Sequence, residues 1–261
     1  GVQTCALPIL ALWNNVQNIW YGLSLGSVLL LAAIGLAITF GVMGIINMAH
    51  GEMVMLGAYT VFVVQEVIRT KAPWLFNYSL LIAVPLAFLV SAFVGVLIER
   101  TIIRFLYGRP LETLLATWGL SLGMQQMFRS TFGAKEVSAT LPDWLMGSVQ
   151  PFEGVDIPLN GLFIMAMTAV LTGTIFVLLY RSRWGLQVRA TMQNRLMSGA
   201  VGINTRKVDR TTFALGCGVA GVAGAAFTTI GSTGPTSGSL YIVDTFLTVV
   251  FGGALRSGKK R

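Results

Sequence analysis

The sequence predicts an all-α, polytopic integral membrane protein with a broken helix near residues 44–52. Three observations carry that prediction: an apolar composition, several runs long enough to cross a bilayer, and a polar cluster lodged between two apolar runs. Of 261 residues, 54% are hydrophobic, 30 are Gly and 11% are charged. A soluble domain carries about 25% charged residues, and its surface-to-volume ratio leaves too little interior to hide this much apolar side chain. Lipid is therefore the solvent for most of the chain, which excludes a soluble enzyme, a disordered tail and a secreted disulfide scaffold. Two Cys and one His are too few for a disulfide framework or for most metal centres.

A spanning helix needs about 20 mostly apolar residues. Runs 19–43, 79–98, 161–180 and 211–230 meet that length, the second with Pro85 inside it and the last rich in Gly and Ala. Runs 51–64 and 111–128 are shorter or more polar, and 242–255 is a final apolar stretch. The net charge of +8 would suggest nucleic acid in a soluble protein. Here the basic residues fall in gaps between apolar runs, where they set topology, and no nucleic-acid partner is expected.

The gaps differ in sign. Gap 99–110 holds Arg100, Arg104 and Arg109 against Glu99, and gap 181–210 holds Arg181, Arg183, Arg189, Arg195, Arg206, Lys207 and Arg210 against Asp209 alone. Gap 130–160 sets Lys135 against Glu136, Asp143, Glu153 and Asp156. Positive gaps stay in the cytoplasm, so the acidic gap faces outside, and alternation puts 65–78 outside too, despite Arg69 and Lys71. Residues 1–9 lack a charged n-region and are not a signal peptide. They and the basic tail 254–261 read either as native ends or as non-native additions, which leaves 10–253 as the membrane domain.

The interruption puts Asn47, His50 and Glu52 between apolar runs, with Gly44 and Gly51 beside them. The second run, 51–64, is too short to span by itself at about 1.5 Å per residue. A broken helix fits, provided its freed backbone lines protein or water. A charge at mid-bilayer costs about 2.5–3.5 kcal/mol, so Glu52 needs partners, an interface or a proton. Two readings stay open: a polar lining or hinge of a transport path, and a hydrogen-bonded knot that fixes helix packing. No nucleophile with a paired base accompanies His50, so catalysis is not expected.

Gap 181–210 is long for a membrane connector. Leu186, Val188, Met192, Leu196, Met197 and Val201 lie near helical spacing with arginines between them, and Gly199 and Gly202 stop the pattern. Short amphipathic helices follow, lying on anionic headgroups or docking into a partner's groove.

Asn47-Met48-Ala49-His50-Gly51-Glu52 followed by Leu56-Gly57-Ala58-Tyr59 resembles the signature of the branched-chain amino-acid type permeases of ATP-binding-cassette (ABC) importers. Leu111 to Leu122 is similar to another stretch of that family, and Gly185, Arg189, Ala190, Asn194, Ala200, Gly202, Ile203 and Asn204 resemble its cytoplasmic coupling segment. Ser232 to Thr236, Tyr241 to Phe246 and Phe251-Gly252-Gly253 look most like its urea-transporting branch. The resemblance runs from about Asn18 to Gly253, where the family continues with a further membrane segment.

The resemblance implies a multi-pass permease of a bacterial inner membrane, forming half of a path for urea or a short amide. Its implied partners are membrane lipid, a second permease subunit, two cytoplasmic ATPase subunits and a periplasmic substrate-binding protein. It implies no cofactor of its own, since the ATPases bind ATP, and no phosphate-cradling Gly-Lys-Ser/Thr loop is present. The candidate path residues are Asn47, His50, Glu52, Thr117, Ser121, Thr228, Ser232 and Thr236. Arg189, Asn194, Arg195, Gly199, Gly202, Ile203 and Asn204 would form the coupling segment. The alternatives are the same machine for branched-chain amino acids, or an ion-coupled carrier or channel, for which Glu52 is the clear coupling carboxylate.

Overall fold

A computed structural model of the chain describes residues 3–152 and 155–252; residues 1–2 and the tail 254–261 lie outside the described residues. The helices are α1 (Gln3–Met43), α2 (His50–Lys71), α3 (Ser79–Thr101), α4 (Pro110–Phe132), α5 (Leu159–Arg181), α6 (Arg183–Gln193), α7 (Arg195–Ala200), α8 (Thr205–Phe227) and α9 (Ser237–Phe251). A small antiparallel pair, β1 (Ser148–Phe152) and β2 (Val155–Pro158), is the one addition to the all-α plan among the described residues. It sits in the acidic gap. Five helices among the described residues are long and apolar enough to cross a membrane, and the chain is a multi-pass membrane protein.

Several boundaries differ from the expected runs: α1 starts at Gln3 rather than at 19, and α4 runs on to Phe132. Run 51–64 is not short: α2 has 22 residues, about 33 Å at the helical rise, because it continues through Gln65, Glu66 and Arg69. Polarity ended the apolar run, but no Gly or Pro ended the helix. The run expected at 211–230 starts at Thr205, where Asn204 caps it by accepting from Lys207 N at 3.1 Å. The run expected at 242–255 starts earlier, at Ser237, and ends at Phe251.

α8 is the hub. Its glycines and alanines are buried almost throughout, and they let neighbouring backbones approach closely, as small residues do between membrane helices. A Cβ on Gly224 would collide with Val54 O of α2, and one on Gly57 of α2 would collide with Gly221 O. A Cβ on Gly216 would lie 2.7 Å from Gly35 O of α1. Ser91 of α3 donates to Met53 O of α2 at 3.3 Å.

The gaps sort by sign. Arg210 of α8 reaches Glu99 at 3.3 Å and Arg195 pairs with Asp209, so the two basic gaps share one end of the bundle. At the other end Arg69 donates to Thr140 at 3.0 Å, Trp144 to Asn77 O at 2.7 Å, and Asn160 to Thr229 O at 3.0 Å. The alternation expected from charge is thus realised in space.

Candidate functional site

The break falls where expected. Helix α1 ends at Met43, residues 44–49 are non-helical, and α2 restarts at His50. Gly44 takes φ +66°, a left-handed conformation that costs Gly little and other residues more. The segment is re-entrant. Gly41 lies against Met192 of α6 at the basic end, whereas His50 Nε2 stands 2.9 Å from Ala32 O, well back along α1. A carbonyl only accepts, so Nε2 carries the proton.

Irregular backbone at this depth must find partners inside the protein. Gly44 N donates to Phe40 O (2.9 Å) and His50 N to Asn47 O (3.2 Å). Ala49 N donates to Asn47 Oδ1 (3.0 Å), and Met48 N to Thr117 Oγ1 of α4 (3.2 Å). Glu52 Oε1 accepts from Ser121 Oγ at 3.0 Å and Gln125 Nε2 at 2.9 Å. Glu52 has no exposed surface, and its place in the first turn of α2 sets the carboxylate against the positive end of the helix dipole. Asn47 Nδ2, His50 Nδ1 and Glu52 Oε2 are buried without a partner.

Helix α4 makes this clasp because it is amphipathic in reverse. Thr113, Thr117 and Ser121 are buried, and Gln125 follows at the same spacing, while Leu111, Leu115, Trp118 and Leu122 face outward. Residues four apart share a helix face, so the polar stripe meets α2 and the apolar stripe meets lipid or another chain. Tyr59 of α2 stacks on Phe132 at 4.4 Å and lies 5.1 Å from Phe128. The sequence reading named Thr117 and Ser121 but missed Gln125. The polar residues recurring every four positions on an otherwise apolar run were the signal.

The remaining path candidates are not in this cluster. Thr228 is buried and donates to Ala225 O at 2.7 Å, Ser232 donates to Glu136, and the exposed Thr236 accepts at its carbonyl from Ser239. They belong to the turn between α8 and α9 at the acidic end.

The expected coupling segment folds as α6 and α7, and its named residues divide by task. Asn194 caps α7 by accepting from Met197 N at 3.0 Å, and Asn204 caps α8. Gly202 takes φ +90° just past α7, where Ile203 N donates to Ser198 O at 3.0 Å, a helix-ending turn that favours Gly. A Cβ on Gly199 would meet open space. Arg189 lies over the Tyr180 ring at 5.2 Å. Arg195 turns inward, pairing with the buried Asp209 and lying over the Tyr107 ring at 4.9 Å. Burial, together with the Asp209 carboxylate nearby, pushes the Tyr107 phenol well above its ordinary range. What projects outward from α7 is apolar: Leu196 is 90% exposed, and Met197 and Val201 are exposed beside it.

A family model described as branched-chain amino acid transport system / permease component matches residues 18–258. The high-affinity branched-chain amino acid transport system permease protein LivH of Salmonella typhimurium is 30% identical, covering 91% of this chain and 79% of that protein. The corresponding BraD permease of Pseudomonas aeruginosa is 28% identical over 93% of this chain and 80% of its own length. The probable branched-chain amino acid permease LivH of Methanocaldococcus jannaschii is 26% identical over 87% and 70%. No solved structure matches the chain.

Proposed function

The chain belongs to the branched-chain amino acid transport system permease family, a family of transport proteins rather than enzymes, and from that premise we propose that it forms half of the translocation path for a branched-chain amino acid in an ABC importer. The relatives' names favour this solute over urea, so the urea likeness of Ser232 to Thr236 does not carry the assignment. A second permease subunit completes the path in the inner membrane of a bacterial cell. Two cytoplasmic ATPase subunits bind the ATP, and a periplasmic binding protein delivers solute. The segment 44–52 with Thr117 and Ser121 is the part of the path that this chain supplies.

The observation that carries the ATPase-driven reading is α7. A helix resting on anionic headgroups would present its arginines outward. Here Arg195 faces inward and Leu196, Met197 and Val201 face outward, a compact apolar knob suited to a groove in a soluble partner. A carrier driven by an ion gradient would leave this knob without a role.

The test is uptake into vesicles holding the permease pair, the ATPases and the binding protein. ATP-dependent leucine uptake, competed by isoleucine and valine but not by urea, is expected. Uptake of urea in place of leucine would restore the urea reading, and leucine uptake without ATP would replace the importer with a channel.

A further inference from the structure

We propose that the ion pairs Arg195–Asp209 and Arg210–Glu99, with Tyr107, form the rigid joint through which a displacement of α7 moves α8 and, with it, both ends of the 44–49 segment. This rests on the reading that α7 docks an ATPase, and it names the residues that pass the motion on.

The joint ties three helices and a connector at one point. Asp209 and Arg210 lie in the first turns of α8, Glu99 lies near the end of α3, Tyr107 in the connector to α4, and Arg195 opens α7. The side chains of Asp209 and Glu99 are 2% and 3% exposed. Removing one partner of such a pair leaves a buried charge uncompensated, which is far costlier than the net worth of the pair. The joint also borders a polar cavity of about 350 Å³, which Arg104, Thr205 and Arg206 help to line. Helix α7 has six residues and presents most of its surface outward, so Arg195 is its chief polar anchor to the bundle.

Beyond the joint, α8 meets its neighbours backbone to backbone. Gly216 faces Gly35 of α1, and Gly224 faces Val54 of α2. Close-packed contacts of this kind carry strain with little slack. Helix α1 runs directly into the segment at Met43 and also grips its exit through Ala32 O and His50, while α2 carries that exit onward to Glu52 and α4. A shift of α8 therefore reaches the polar clasp through both α1 and α2. Coupling across such contiguous contacts is read by a double-mutant cycle.

The full assembly in vesicles is compared for Arg195→Gln, Asp209→Asn and the double variant, reading ATPase co-purification, ATP hydrolysis and leucine uptake. Each single variant is expected to co-purify normally and to move about tenfold less leucine per ATP hydrolysed, with the double no worse than either single, because one joint is broken in all three. Unchanged leucine per ATP in both singles overturns the proposal, as do additive losses or loss of co-purification. If the neutral variants fail to accumulate, Arg195→Lys keeps the charge but not the planar fork or its stacking on Tyr107. It is expected to insert and still lower the ratio, and an unchanged ratio there overturns the joint. Failure of the underlying reading shows separately, as wild-type assembly without ATP-driven uptake.

Discussion

Glu52 is stable in the bilayer because α4 brings donors to it. Its Oε1 takes both hydrogen bonds, and a glutamine places an equivalent acceptor there. Glu52→Gln is therefore expected to unfold within about 1 kcal/mol of wild type, whereas Glu52→Leu strands Ser121 and Gln125 and loses about 1–3 kcal/mol. Unfolding of the purified protein in detergent reads both. Glycine contacts give a sharper contrast. Gly224→Val forces a side chain onto Val54 O, and overpacking of this kind costs about 1–3 kcal/mol or more. Backbone cannot rotate away as a side chain can, so the high end or failure to fold is expected. Gly22→Ala, which meets open space inside α1, should hold or slightly raise the unfolding midpoint, since Ala favours a helix by about 0.5–1 kcal/mol over Gly. The residue-scale pattern was half legible. Asn47, His50 and Glu52 stood out as polar letters in an apolar run, but Gln125 is remote in sequence, and only the fold shows which hydroxyl meets which carboxylate.

At the scale of elements, α7 and its flanking caps are where the proposed docking to an ATPase is tested. Leu196→Asp places a charge at the most exposed point of the knob and touches nothing inside. It is expected to abolish ATPase co-purification while membrane insertion and thermal stability stay at wild-type values. Gly202→Val asks a β-branched residue to hold φ +90°, a strain of about 1–3 kcal/mol, and should weaken co-purification by disordering the end of α7. Unchanged binding in both variants would remove α7 from the interface. The sequence showed that this gap alternates apolar and basic residues. It did not show which set faces inward, because Asp209, the acid that draws Arg195 in, is separated from it by the α7–α8 turn. Helix α2 illustrates the converse: hydropathy ended it at Val64, and the helix itself runs on to Lys71 because its polar third turns toward the loops of the acidic end.

For the molecule as a whole, charge sorting makes a topological prediction. In a background lacking Cys5 and Cys217, a cysteine at Lys135 should react with an impermeant thiol reagent from the outer face of intact cells. One at Arg206 should react only after the membrane is opened. Labelling of both from the same side would contradict the arrangement of the two ends. The architecture was readable early because lipid imposes length, polarity and charge bias on every span. Helix-to-helix contacts were not, because small residues license close approach without saying which pairs will meet.

The reversed amphipathicity of α4 has one more consequence. Its seam with α2 is polar where Thr117, Ser121 and Gln125 meet Met48 N and Glu52, and aromatic where Phe128 and Phe132 meet Tyr59. If water entered that seam, each severed bond would be exchanged for one to water, at little net cost. An oily seam would resist flooding. Around Glu52 this seam can trade its bonds for water, while the Tyr59–Phe132 stack beyond stays shut like a hinge pin.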